Sequence, residues 1–183
     1  MHAYFQNKKG FTLVETLVAI TVLLLVIIGP MTIAQKGIQN AYYAKDQVTA
    51  VFLAQEAVEG IRQLRDEKGL AAYSGNASID TASWVPSCDS GCAYNAANGT
   101  FTTCGTANNY CKLSIDSTTG EYTHTAGGNA LSPFTRTVTV GAAVGGGVPV
   151  TVDVTWNARV LNNSTRDVKL QTWIYDHYQR YEN

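Results

Sequence analysis

Between Phe11 and Ala34 the chain carries a single ionisable side chain, Glu15, in 24 residues. At ~1.5 Å of rise per residue such a stretch makes about 36 Å of helix, enough to cross a hydrocarbon core of ~30 Å. The segment before it, Met1 to Gly10, is short and polar and ends in Lys8-Lys9-Gly10. Lysines on that flank favour a cytoplasmic start, with the remainder of the chain on the far side.

Three readings fit this segment. In an ordinary secretory signal, Lys8 and Lys9 form the basic region, Thr16 to Ile28 the apolar region, Gly29-Pro30 the breaker and Thr32-Ile33-Ala34 a small-residue cleavage site. That reading yields a secreted soluble domain of binding rather than catalytic function. The second is an uncleaved anchor. Neither gives Glu15 a purpose, and a carboxylate inside the apolar run costs up to about 3 kcal/mol on insertion. The third does. Cleavage after Gly10 creates an ammonium on Phe11, four residues before Glu15, so the two charges neutralise each other within one helix or, between neighbouring helices, set an axial stagger.

The run Lys8-Lys9-Gly10-Phe11-Thr12-Leu13-Val14-Glu15 resembles the prepilin processing motif of type IV pilins and type II secretion pseudopilins. The resemblance implies that an aspartyl-type membrane peptidase cuts after Gly10 and methylates Phe11, that Glu15 is the assembly glutamate, and that Gly29 and Pro30 form a helix break that loosens in filaments. It implies as partners other pilin or pseudopilin subunits, the prepilin peptidase/methyltransferase and the membrane. The implied location is the cytoplasmic (inner) membrane, single-pass with the leader inside and the head outside, and then a cell-surface or extracytoplasmic filament.

From Gln35 to Lys68, Ile38, Tyr42, Val48, Val51, Phe52, Val58 and Ile61 recur mostly at three- and four-residue intervals, the stripe of an amphipathic helix, and Gly69 is placed to end it. The C-terminal half of the stripe is expected to pack on the chain's own head. Residues 70–111 read as loops held by cysteines. A hairpin is expected from Lys112–Asp116 and Glu121–His124, then strands at Phe134–Val140, Val148–Val160 and Asp167–Tyr175. The middle strand alternates without a fault, Val148 to Val160 on one face and Thr151 to Arg159 on the other, so one face is buried and one is wet. The expected fold is α+β: a long helix against an antiparallel sheet. The expected organisation is a leader at 1–10, a membrane and assembly helix at 11–34, an amphipathic helix at 35–69 and a head at 70–183. The strand pattern at 150–156 and 167–173 also resembles the end of minor pilins of the pilus-modification type and of the pseudopilin I subunit.

The four cysteines, Cys88, Cys92, Cys104 and Cys111, lie within 24 residues. Their even count fits two disulfides in an oxidising compartment, with three connectivities open; the spacing lacks the C-x2-C knuckle of a zinc site. Lys and Arg number 13 against 14 Asp and Glu, so there is no electrostatic footprint for nucleic acid. The three histidines, His2, His124 and His177, form no spacing for a metal pair. No hydrolase, metalloprotease or phosphate-loop motif occurs, and Asp116 to Glu121 reads as a turn rather than a calcium loop. No catalytic residue, cofactor or small-molecule substrate is expected.

Overall fold

In the computed structural model the described residues are 10–73, 88–96, 98–105, 110–124, 130–158 and 164–175. One helix, α1 (Leu13–Tyr73), is followed by seven strands: β1 (Cys88–Asn95), β2 (Thr100–Thr103), β3 (Lys112–Ile115), β4 (Tyr122–Thr123), β5 (Ala130–Val140), β6 (Gly147–Asn157) and β7 (Thr165–Tyr175). The class is α+β, as expected. The chain divides into two compact units, Met1–Ala44 and Lys45–Asn183.

In the first unit every described residue up to Tyr42 is exposed. From Phe11 to Ala34 this exposed surface is apolar but for Glu15 and a few threonines, and a surface of that kind needs lipid or other helices around it. The hydroxyls within it are turned back on the helix: Thr16 donates to the Leu13 carbonyl, Thr21 to Val18 and Thr32 to Gly29, each at 2.8 Å. Polar groups satisfied inside the segment suit an apolar surround. In this single chain α1 runs through Gly29 and Pro30 without interruption. Proline removes one ladder donor and clashes with the preceding turn, and the residues beside it, Ile28, Gly29, Thr32 and Ile33, are middling to poor helix formers, so this is the weakest stretch of a helix that nevertheless continues.

The second unit holds the core. β5 is central: β1 and β3 share one of its edges, opposite Val138–Val140 and Ala130–Thr135, and β6 covers the other, with β7 outside it. All pairings are antiparallel. Val148, Val150, Val152, Val154, Trp156 and Ala158 of the β6 segment are buried, as are Phe134, Val138 and Val140 of β5 and Ile174 of β7. Against them lie Ala50, Leu53, Ala54, Ala57, Val58 and Ile61 of α1. Three alanines in that set let the helix approach the sheet closely. Gly60 serves the same end, since a Cβ there would meet the Tyr94 ring at 2.6 Å.

Several expectations need correction. Gly69 does not end the helix, which continues to Tyr73; one buried glycine costs about 1 kcal/mol, and the following Leu70-Ala71-Ala72 are good helix formers. The stripe is core at its C-terminal end, as expected of that half, though Phe52 is not part of it. Val58 and Ile61 are buried, whereas Ile38, Tyr42, Val48 and Phe52 are exposed. The stretch 70–111 is not all loop, because it contains the hairpin β1–β2, paired Cys92↔Thr103 to Asn95↔Thr100. β5 begins at Ala130, four residues before the expected start, where Ala130 and Leu131 pair with Ile115 and Ser114 of β3. The 112–124 hairpin and the two final strands lie where expected, save that β6 ends at Asn157; Arg159 and Val160 fall outside the described residues.

Candidate processing and assembly site

Gly10, Phe11 and Thr12 precede α1 and are fully outside it. Thr12 is the N-cap. Its carbonyl accepts the first helical bond, from the Thr16 amide at 3.2 Å, and its Oγ1 accepts the Glu15 amide at 3.2 Å. A hydroxyl satisfying the third amide of the helix is the first half of a capping box, and an acidic residue in this first turn also complements the positive end of the helix dipole. Glu15 is exposed, and its carboxylate forms no ion pair among the described residues. Lys8 and Lys9 lie outside the described residues, as do His2 and His177.

A Cβ added at Gly10, Gly29 or Gly37 would meet nothing within 4 Å. None of the three has a positive φ. The chain's own fold therefore has no steric use for a glycine at these positions, unlike Gly60 or Gly91.

The cysteines pair in sequence order, Cys88–Cys92 and Cys104–Cys111. The first closes a bulge within β1: Cys88 faces Val140 and Cys92 faces Val138, so Asp89, Ser90 and Gly91 together oppose only Thr139. Gly91 takes φ +91°, and a Cβ there would meet Thr137 Cγ2 at 2.7 Å. Its carbonyl accepts the Cys104 amide at 3.1 Å. The second disulfide ties the end of β2 to the start of β3, where the Cys111 carbonyl accepts the Arg136 amide at 2.8 Å. The paired cysteines replace the rival zinc reading.

The head's most buried charge escaped the sequence reading. Arg136 on β5 is 1% exposed and donates to the Leu53 carbonyl (3.0 Å), Glu56 Oε2 (3.0 Å) and the Tyr94 carbonyl (3.1 Å). Burial pulls its pKa down, and Glu56 opposes the shift. It occupies the inward phase of Phe134-x-Arg136-x-Val138-x-Val140, a signal available in the sequence. Thr12 was legible too, since Thr-x-x-Glu before an apolar run is a capping signature.

His124 is half-buried, and its Nδ1 donates to the Tyr110 carbonyl at 2.8 Å. Burial first, then the Arg136 charge, lowers its pKa to about 4, so the ring is neutral. Asp116 Oδ1 accepts the Thr118 and Thr119 amides at 2.7 and 3.1 Å, the turn expected there, and these bonds hold its carboxyl below the usual range. Between α1 and the β1–β2 hairpin a groove of about 630 Å³ is lined by Gln63, Leu64, Glu67, Tyr94, Thr100 and Phe101 among others. Among the described residues no cluster of His, Cys, Asp and Glu is arranged to hold a metal.

Residues 5–29 match the prokaryotic N-terminal methylation motif. The match supports a type IV pilin-like family and covers only the N-terminal segment. No curated protein and no solved structure matches the chain.

Proposed function

We propose that this chain is the precursor of a structural filament subunit of the type IV pilin-like kind, cut after Gly10 and assembled through its N-terminal helix. The observation that carries the reading is the methylation motif over residues 5–29, set on a helix whose exposed apolar surface contains a single carboxylate. Hydrolysis of the Gly10–Phe11 amide leaves a carboxylate on Gly10 and an ammonium on Phe11, which the peptidase/methyltransferase then methylates. The absence of any steric need for glycine at position 10 in the chain itself supports a requirement imposed from outside, by the peptidase pocket. The same argument applies to Gly29 and Gly37, where small residues let a neighbouring helix approach. Gly29-Pro30 is the place where a continuous helix is easiest to unwind on assembly.

Glu15 then serves the neighbouring subunit's Phe11 ammonium. Lys8 and Lys9 keep the leader inside, the helix anchors the subunit, and the head lies outside until the filament takes it up. The patterning of β6 and β7 favours a minor, priming subunit over a major one. N-terminal sequencing and mass spectrometry of membrane-derived protein test the reading. The expected product begins at Phe11 and carries an N-methyl group. A product beginning at Gln35 identifies a conventional signal peptide and overturns it.

A further inference from the structure

Resting on that reading, we infer that Thr12 is a positioning residue for leader removal: as the N-cap of α1 it stops the helix short of the Gly10–Phe11 bond and so keeps the bond open to the peptidase.

The argument is one of backbone bonding. The helical ladder begins with the Thr16 amide on the Thr12 carbonyl, and the Glu15 amide is taken by the Thr12 hydroxyl. With that cap in place the Gly10 and Phe11 carbonyls take no part in the ladder, and both residues are exposed. Without it, the Glu15 amide seeks a backbone acceptor, and the nearest helical one is the Phe11 carbonyl. One further residue of helix would tie the Gly10 carbonyl to the Val14 amide. The carbonyl that water must attack would then be engaged and wrapped in a helix, whereas a peptidase cleft takes its substrate extended, through main-chain hydrogen bonds. The sequence opposes such extension at two points. Gly10 is a poor helix former, and Thr12 has the β-branched side chain and the hydroxyl that favour capping over helix interior. The same bond aims Glu15 into the first turn, so one residue sets both the cleavage boundary and the start of the assembly helix.

The test compares full-length wild type with Thr12→Val, Thr12→Ser and Thr12→Asn in membranes holding the prepilin peptidase. Loss of the leader is followed with time, and in detergent micelles the carbon chemical shifts of residues 10 to 12 are read. Valine keeps the shape of threonine without the acceptor; serine and asparagine keep the acceptor and change the shape. Thr12→Val is expected to slow processing on the order of fivefold, the factor that corresponds to the usual worth of one N-cap hydrogen bond, and to move residues 10 to 12 toward helical shifts. Serine and asparagine restore both. Cleavage of Thr12→Val at the wild-type rate, or slowing by asparagine equal to that by valine, overturns the inference. A wild-type product that does not begin at Phe11 refutes the underlying reading instead, so the two failures are told apart.

Discussion

Arg136 Nη1 lies 3.0 Å from the main-chain carbonyl of Leu53, so a strand in the middle of the sheet is hydrogen-bonded to the backbone of the helix that covers it. The same guanidinium reaches Glu56 on α1 and the Tyr94 carbonyl on β1. One cation thus joins α1, β1 and β5 at the centre of the apolar layer.

Replacing Arg136 by Met is expected to destabilise the head by about 2 to 4 kcal/mol, because the Tyr94 carbonyl loses its charged donor inside the core. Glu56→Gln is expected to cost less than about 1 kcal/mol, since the Glu56 side chain is 43% exposed and water takes over its solvation. Thermal denaturation of the full chain in detergent, followed by tryptophan fluorescence, ranks the two. Equal losses would show that the ion pair, and not the buried carbonyl bonds, is what Arg136 supplies.

Two glycines in one helix are expected to respond with opposite signs. Alanine is favoured over glycine in a helix by up to about 1 kcal/mol, and at Gly37, where an added Cβ meets nothing, that gain should appear as equal or higher helix stability in dispersed protein. At Gly60 the same methyl group would sit 2.6 Å from the Tyr94 ring. Gly60→Ala is therefore expected to lower head stability by about 1 to 3 kcal/mol, the usual cost of overpacking. Circular dichroism melts of the two variants give the signs directly.

The legibility of the fold follows the same physics. β6 was readable because each of its side chains meets either core or water, so Val148 to Trp156 alternate without exception. β1 was not, because its burial follows a disulfide-closed bulge: Cys88 is buried, Asp89 and Ser90 are exposed, and Gly91 to Tyr94 are all buried. No periodicity survives that. On α1 the weight of large residues pointed to Ile38, Tyr42, Val48 and Phe52, all exposed, while the sheet packs on Ala50, Ala54 and Ala57, which a scale of hydrophobicity undervalues. The motif over residues 5–29 was legible because its pattern is chemical, a glycine and a carboxylate at fixed spacing at the head of an apolar run. Arg136 was hidden by the habit of placing charges on wet faces.

The head should lose stability in mild acid through His124. Its folded pKa is about 4 against 6.5 for the free side chain, lowered by burial and then by the Arg136 charge. Between those values the unfolded chain binds a proton that the folded head does not. The neutral ring's contribution is therefore complete above pH 6.5 and is lost as pH falls toward 4. Relative to His124→Asn, the wild type is expected to lose about 2 to 3 kcal/mol between about pH 7 and about pH 4.5. Melting temperatures of both proteins at the two pH values check this. A parallel decline in the two would place the acid sensitivity elsewhere.

Glu15 sits three residues after the cap of α1, exposed in an apolar segment and without an ion-pair partner among the described residues. A carboxylate in that position is costly in a bilayer, and a neighbour presenting the Phe11 ammonium removes the cost and fixes the axial register at once. Gln is nearly isosteric, keeps the amide that Thr12 caps, and cannot pair with an ammonium as a charge. Glu15→Gln is therefore expected to give a subunit that is processed, membrane-inserted and disulfide-bonded at wild-type levels, yet at least about tenfold depleted from sheared filaments, the equivalent of 1.4 kcal/mol of lost pairing. Gly10→Ser is the companion variant. It is expected to block cleavage, so that no ammonium forms on Phe11, and to give the same depletion from filaments with the leader retained. Entry of Glu15→Gln into filaments at the wild-type level would remove the pairing role. The carboxylate would then be left to the peptidase, and the same gels would show this as slowed leader removal.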